Sequence, residues 1–570
     1  MGWFLGLGGG YFHDSAACLV HDGKIVAFAE EERFSRRKHN GDSRSCRQAV
    51  SYCLHEAGIG IEDVDGISAG WNPYWPERRE FLDDSVAREL LGDYWTDGVR
   101  AKGVRILPHH LAHAASAFYC SGASDAAVLV ADGSGDGIST SLWHGGPNGL
   151  RLIREWPFTQ SLGWFFETVA EHLGFASWTD AGKLMGLAPY GSDRYRFPFI
   201  RVDDDGYRID LSAFGLPAAG DFSAEYADLA YYQRLKEAYR TAFTDLGMER
   251  RRPVRRYDAD SGQMATITEF SFKQMDFAAS AQHQLEQCLV SLARSAMRAT
   301  GSDKLCLAGG VALSCSANGV LAREFGAEKL FVQPAAGDSG LAIGGALELA
   351  REAGDLPAGR DRLTSMALGP SFSDDTVGRT LRHLSLTGEF LGDRIESRVA
   401  EELAAGKVVG WFQGRMEGGP RALGQRSILG DPRSVAVRDR INKTVKNRES
   451  WRPLAPSMLR SAADKYVDGQ GPADFMIVAY QATDPARADI PGVVHVDGSM
   501  RPQIIDDSAQ TPYARLLTAF HAATGVGTLL NTSFNHESEP IVSSPRDALR
   551  TFYSTPMDLL AIGGHLLSKP

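Results

Sequence analysis

Two groups of side chains in this sequence are spaced for chemistry. Between Gly414 and Arg433 the chain reads GRMEGGPRALGQRSILGDPR, with Arg415, Arg421 and Arg426 set among glycines and Pro420. Such a backbone can turn tightly and gather guanidinium groups. Arginine stays charged at working pH, and its planar fork of donors matches carboxylate or phosphate bidentately. The block is read as an anion-binding turn, for phosphate above all, against the alternative of a solvated loop. The second group is His109 and His113, in PHHLAHAASAFY. Pro108 suits a first helical turn, and i,i+4 spacing puts both imidazoles on one helix face, the geometry of a two-histidine metal site. His110 then points elsewhere. Asp132, in a Gly-rich turn, and Asp338, in AAGDSGLAIGGAL, each follow an apolar strand-like run and can supply oxygen ligands. The competing reading is a capped helix with one buried, hydrogen-bonded histidine.

The elements that must position these residues follow from local pattern. Residues 16–29 (AACLVHDGKIVAFA) are expected to form a hairpin turning at Asp22-Gly23. Residues 126–143 repeat the plan, with a longer Asp/Gly turn from Asp132 to Gly137. Two such units in an α/β setting imply a duplicated fold with a cleft between its halves. A third Gly-rich turn, Ala308 to Val311, links the short strand Lys304–Leu307 to a helix near Ser314–Glu324, the kind of turn where nucleotides approach backbone amides. Neither a Walker sequence nor a GxGxxG is present, which weakens the P-loop and Rossmann readings. Residues 274–300 carry apolar positions at helical spacing and predict a core helix. The irregular stretch 192–268 reads as an insertion in the first domain suited to specificity, and 351–362 as a linker. The expected domains are therefore 1–355 and 375–570.

Composition narrows the class. At 570 residues the chain exceeds one ordinary core, and its 23 % of charged residues fits a folded protein. A formal charge of −11 argues against a nucleic-acid-coating role, despite basic clusters at Arg36-Arg37-Lys38 and at Arg250 to Arg252 with Arg255 and Arg256. The second of these is expected to be a solvated loop. The seven cysteines are scattered without a CxxC pair, as expected of reduced core thiols in a cytoplasmic enzyme. No signal sequence is visible, and no apolar run reaches the roughly 20 residues of a membrane helix, so no membrane association is expected.

Several segments together resemble the carbamoyltransferase family of antibiotic and nodulation-factor biosynthesis. They are FHDSAA (12–17), EERFSRRKH (31–39), HHLAHAASAF (109–118), ADGSGDG, GKLMGLAPYG (182–191), GGVALSCSANG (309–319), the Arg-rich block, VKNRESWRPLAPS (445–457) and LNTSFNHESEPIV (530–542). The resemblance implies an N-terminal domain of the duplicated actin/sugar-kinase (ASKHA) type, similar to the threonylcarbamoyl-transferring tRNA-modification enzyme. It also implies a C-terminal YrdC-like α/β domain. In such enzymes carbamoyl phosphate and ATP, with its Mg, give carbamoyl-AMP and pyrophosphate in the C-terminal domain. The carbamoyl group then passes to a hydroxyl, less often an amine, of a natural-product acceptor in the N-terminal domain, releasing AMP.

On the matching motifs, Arg421, Lys446, Arg452 and Arg501, with Arg448 beside them, are assigned to the anionic substrates, whose charges require preorganised cations. Asn531, Thr532, Ser533 and Asn535 offer neutral donors and acceptors for a carbamoyl amide or ribose. The resemblance places a metal, Fe(II) first, on His109, His113, Asp132 and Asp338; His₂Asp₂ ligation equally suits Mn(II) or Zn(II). His13 is the candidate general base for the acceptor hydroxyl. Lys183, Gly309, Gly310 and Asn318 are expected nucleotide contacts. One departure stands out: Gly418 occupies a position where the family usually has an aromatic residue. The alternatives are an actin-like small-molecule kinase, which leaves the Arg-rich third without a task, and a tRNA threonylcarbamoyl-type enzyme, which the acidic balance disfavours. The acceptor is unread, and a homodimer is left open.

Overall fold

The computed structural model describes residues 2–10, 13–41, 43–216, 225–252, 254–258, 263–267, 269–469, 471–536 and 538–569. It is a mixed α/β structure that divides into two compact units. The first comprises Met1–Val26, Asp42–Val50 and Gly58–Leu363; the second comprises Ala27–Gly41, Ser51–Ala57 and Thr364–Pro570.

In the first unit, β1 (Trp3–Gly10) runs antiparallel to β2 (His13–His21), which turns at Asp22–Gly23 into β3 (Lys24–Glu30), a strand whose residues from Ala27 on are counted with the second unit. Both turn residues have positive φ, 52° and 68°, the two-residue hairpin turn whose twist matches the strands. Strands β4 (Gly66–Ala69) and β5 (Val104–Ile106) lie parallel on the other side of β1, giving the order β3-β2-β1-β4-β5. A second meander follows, of β6 (Ala126–Gly135), β7 (Ile138–Gly146) and β8 (Gly149–Pro157). Two separate hairpins come next, β9 (Ile200–Asp203) with β10 (Gly206–Ile209), and β11 (Val254–Asp258) with β12 (Gln263–Ile267). Then β13 (Leu305–Ala308) joins β6 in parallel and β14 (Leu330–Val332) joins β13, so the second sheet runs β8-β7-β6-β13-β14. Each sheet is thus a three-stranded meander extended by two parallel strands in the same order.

The turn expected at Asp132–Gly137 is shorter than its sequence suggests. Only Asp136–Gly137 turn; β6 continues to Gly135, with a register shift between Ala131 and Gly135. The irregularity removes Asp132 from the regular ladder, a common way to re-aim a side chain beside a functional site.

Two apolar helices complete the core around these sheets. Helix His109–Cys120 is buried at every position but Leu111, and helix Leu341–Glu352 is buried from Leu341 to Ala350. Helices apolar all round must pack on several sides. They pack on each other closely enough that a Cβ on Gly344 would collide with the carbonyl oxygen of Ala112. The long helix Phe272–Thr300 contains the expected segment 274–300 and opens on a capping box, in which Ser271 Oγ accepts from Gln274 N–H and Gln274 Oε1 from Ser271 N–H. All seven cysteines are buried, and none of these described residues forms a disulfide.

Of the expected insertion 192–268, residues 217–224, 253, 259–262 and 268 lie outside the described residues. Its basic cluster is not wholly solvated: Arg250 and Arg252 are exposed, but the Arg251 guanidinium sits 4.5 Å over the Phe270 ring.

The second unit is built on β15 (Glu389–Phe390), β16 (Val409–Phe412), β17 (Arg426–Gly430), β18 (Ala455–Leu459), β19 (Val467–Asp468), β20 (Tyr480–Ala482), β21 (Ser499–Met500), β22 (Gln503–Ile505), β23 (Thr528–Ser533), β24 (Leu559–Ile562) and β25 (His565–Ser568). Its main sheet is mixed and eight-stranded, in the order β15-β25-β24-β16-β17-β23-β18-β22, and β19-β20-β21 form a small separate sheet. Strands β16, β17 and β18 are wholly buried, as their lack of polar alternation predicts. Among the described residues, no helix is long and apolar enough to cross a membrane.

Candidate metal centre and anion-binding site

In the first unit the structure brings His109, His113, Asp132 and Asp338 together. One nitrogen or oxygen from each lies within 4.8 Å of the other three. The two Nε2 atoms are 3.0 Å apart; Asp132 Oδ2 lies 3.2 and 3.7 Å from those of His109 and His113, and Asp338 Oδ1 lies 3.6 and 3.5 Å from them. Around an ion roughly 2.1 Å from each donor, neighbouring ligand atoms stand about 3.0–3.5 Å apart. The cluster therefore fits a divalent cation, and its mixed nitrogen and carboxylate set does not single out one metal.

Local structure explains the convergence. The i,i+4 pair occupies one face of its helix, and the short approach at Gly344 lets the neighbouring helix deliver Asp338 to that face. Asp136 accepts the His109 backbone N–H at 2.9 Å and so anchors the helix start, where an acidic group is favoured. Asp132 Oδ1 accepts from Gly310 N–H at 2.9 Å, leaving Oδ2 for the cluster. His110 points away, to Ser141 Oγ at 2.8 Å and the Ile138 carbonyl at 3.1 Å, and is the buried, hydrogen-bonded histidine of the competing reading.

The imidazoles and carboxylates of the cluster strongly shift one another's titration. Burial opposes charge on His113, but its hydrogen bonds to Asp132 and Asp338 outweigh this and raise it to about 9. Burial likewise opposes ionisation of Asp132, yet His109 and His113 hold it well below the usual carboxylate range. His110 is pushed far down by burial and by its two neighbouring imidazoles. His13 lies at the rim, its Nδ1 3.3 Å from Asp14 Oδ2 and 3.8 Å from Asp338 Oδ2. Burial lowers its pKa, but the Asp14 hydrogen bond and the charges of Asp338, Asp14 and Asp132 prevail, raising it to about 9.

Of the expected nucleotide contacts, Gly310 touches this centre directly. Gly310 gives its amide to Asp132, and Gly309 N–H donates to Ala336 O. Asn318 is buried, with Nδ2 donating to Ala312 O at 2.7 Å. Lys183 lies on helix Ser177–Leu187, 3.1 Å from Asp180.

In the second unit, Lys446 joins Ser533 and Asn535 in one buried knot. Its Nζ donates to Ser533 O at 2.8 Å and to Asn535 O and Oδ1 at 2.7 and 2.5 Å. Asn531 is buried on β23, its amide donating to Ala422 O and Ser457 Oγ, which ties the strand to the Arg-rich turn. Thr532 is partly exposed beside it. Arg448 donates to Asn442 Oδ1 at 2.8 Å, and Arg452 lies 3.6 Å from Glu449. The Nε atoms of Arg421 and Arg501 are both buried, and Arg501 forms no hydrogen bond or ion pair among the described residues.

Arg415, Arg421 and Arg426 of the Arg-rich block differ in their surroundings. Arg426 is fully buried, donates to the carbonyls of Gln413, Gly414, Gln425 and Pro370, and lies 3.7 Å over the Phe412 ring. Burial lowers its pKa to about 10. Arg415 donates to the Gly369 and Leu368 carbonyls and to Tyr52 Oη. Both therefore brace the turn. Sequence reasoning missed Glu417, which is fully buried and whose Oε1 accepts the N–H groups of Leu423, Gln425 and Arg426. Its only signal was a carboxylate standing inside a run of glycines and arginines.

Residues 4–80 and 79–347 match the family described as carbamoyltransferase N-terminus, and residues 400–569 match carbamoyltransferase C-terminus. The chain belongs to the carbamoyltransferase family, and it is an enzyme of that class. Among its carbamoyltransferase relatives, Nodulation protein NolNO of Sinorhizobium fredii is 34 % identical, over 98 % of this chain and 79 % of that one. Nodulation protein NolO of Bradyrhizobium diazoefficiens is 36 % identical, over 81 % of this chain and 78 % of that one. A solved structure, component A of the Acidaminococcus fermentans (R)-2-hydroxyglutaryl-CoA dehydratase, covers 62 % of this chain and 100 % of its own at 14 % identity, with a TM-score of 0.35, too loose a likeness to bear on the fold.

Proposed function

We propose that this carbamoyltransferase activates carbamoyl phosphate with ATP in its second unit and transfers the carbamoyl group to a small-molecule hydroxyl in its first. Atom balance makes the first reaction carbamoyl phosphate, ATP and water to carbamoyl-AMP, pyrophosphate and phosphate. The acceptor oxygen then attacks the carbamoyl carbon, the bond to the adenylate oxygen breaks, and AMP leaves. The observation that carries the reading is a His₂Asp₂ cluster in one unit, set against a buried lysine–asparagine knot at Lys446 and Asn535 beside the Arg-rich turn in the other. One reaction centre would not need both.

In the second unit, Arg421 and Arg501 offset phosphate charge, and Lys446 fixes Ser533 and Asn535 as a neutral binding wall. In the first, His109, His113, Asp132 and Asp338 hold the cation, which supplies Lewis-acid stabilisation of developing oxyanion charge when bound. His13 takes the acceptor proton at an imidazole nitrogen. The positive charge of a bound cation beside Asp338 and Asp132 lowers its pKa towards that task. Lys183 and the Gly309–Gly310 turn contact the adenylate. The repeated strand order of the two five-stranded sheets supports an actin/sugar-kinase-like duplication, and the mixed sheet of the second unit is read as YrdC-like. The insertion 192–268 shapes the acceptor pocket.

The test needs no acceptor. Purified protein with Mg-ATP and carbamoyl phosphate is expected to release pyrophosphate and form carbamoyl-AMP, followed by mass spectrometry. ADP as the sole nucleotide product would instead favour a kinase of related architecture.

A further inference from the structure

Residues 28–36 lie nearly 400 positions before the Arg-rich turn, yet belong to the same compact unit and grip two of its loops. Arg33 is buried; its Nε and Nη2 donate to Glu30 Oε2 at 3.0 and 2.6 Å, and Nη2 also donates to Gly419 O at 2.7 Å. The same Glu30 oxygen accepts from Gly419 N–H at 3.3 Å. One buried ion pair thus holds both backbone polar groups of Gly419, two residues before Arg421. From the other side, Glu417 Oε1 accepts the amides of Leu423, Gln425 and Arg426.

Arg36 makes the second grip. Its Nη1 donates to Ile541 O at 2.6 Å and its Nη2 to Pro540 O at 2.8 Å, with Asp547 and Glu539 at 3.5 and 3.8 Å balancing its charge. That segment is itself tied to the strand end that meets Lys446: Val542 N–H donates to Phe534 O, and Asn535 Nδ2 to Glu539 O. Buried ion pairs are weak stabilisers compared with apolar packing of the same volume. These pairs spend their donors on loop carbonyls, which is what fixing a binding geometry requires.

We infer that Glu30, Arg33 and Arg36 are positioning residues for the anion site of the second unit, setting Arg421 through Gly419 and the Lys446–Asn535 knot through residues 539–541. The inference rests on the reading of that site as the place where carbamoyl phosphate binds.

The test uses the full chain with Arg33→Lys and Arg36→Lys, which keep the charge but not the two-pronged donor, and Glu30→Gln, which keeps the size but not the charge that pairs with Arg33. Amide hydrogen exchange is read on peptides covering 414–425 and 534–545, and carbamoyl phosphate affinity by calorimetry. Arg33→Lys and Glu30→Gln are expected to speed exchange in 414–425 only, and Arg36→Lys in 534–545 only. Each should weaken carbamoyl phosphate by about 10–100-fold, the usual cost of losing a supporting partner. Wild-type affinity in all three variants, or faster exchange spread evenly over the unit, would overturn the inference. Absence of carbamoyl phosphate binding to the wild-type protein would instead overturn the substrate reading, and the exchange pattern would still decide whether these residues hold the loops.

Discussion

In the first unit four side chains from three separate segments point at one another, and their mutual contacts are the site: His109, His113, Asp132 and Asp338 have already found their geometry. In the second unit the charged groups are divided by role. Arg415 and Arg426 face backbone carbonyls, Lys446 is surrounded by four oxygens, and Arg421 and Arg501 are the two arginines proposed to meet the ligand. On the proposed function, the difference follows from what each site binds. A cation needs donors a few ångströms apart around a point, which four residues can supply. A polyphosphate needs an extended shell, which must be braced by cations that never touch the substrate.

The sharpest way to break this comparison is to disable each centre in turn. His13→Asn should leave carbamoyl-AMP formation unchanged while lowering transfer to acceptor by about 10²–10⁴-fold, the range for a general base; loss of both half-reactions together would dissolve the division. Arg421→Ala should do the reverse, cutting pyrophosphate release by about 10²–10³-fold with metal content intact, as removal of a charge-stabilising donor does. Elemental analysis and pyrophosphate release read the two outcomes.

A gentler probe titrates the first centre alone. His113, raised to about 9 in the ion-free cluster, must lose a proton before it can ligate. Metal affinity should therefore climb with pH from neutrality to about 9 and then level off, by about tenfold per unit for each proton released. Calorimetry in buffers of different protonation enthalpy gives the proton count; a flat profile would mean His113 is not a ligand.

The smallest expected effect concerns Gly418. A Cβ there would collide with the Phe28 ring and stand 3.2 Å from Met366 Cε. Phe28 thus occupies the space a larger residue at 418 would need. Gly418→Ala should cost about 1–3 kcal/mol of stability by overpacking, and Phe28→Ala in the same chain should recover part of it. Thermal unfolding of the single and double variants decides the point.

These contrasts also mark what could be read from sequence. The Asp22–Gly23 hairpin, the core helix at 274–300 and the i,i+4 histidine pair were legible because each is specified by neighbours within a few residues. The fate of Arg415 and Arg426 was not. An arginine donating to a carbonyl and one awaiting a phosphate have the same local sequence, and the deciding acceptors, Leu368, Gly369 and Pro370, lie about fifty residues away. Arg33 and Arg36 were hidden for the same reason: they stood in a recognisable motif, EERFSRRKH, but their partners lie near 419 and 540.

The way residues 27–41 and 51–57 are shared out has a consequence for anyone cutting or recombining this gene. A fragment beginning at Thr364 would carry the whole eight-stranded sheet and still lack part of its own body. Gly419, Pro540 and Ile541 would lose their donors, and Gly418 would lose the ring packed against it. Such a fragment should regain order when a peptide spanning 27–41 is added back. Modular swaps within the family would then have to exchange that short N-terminal stretch together with the C-terminal half.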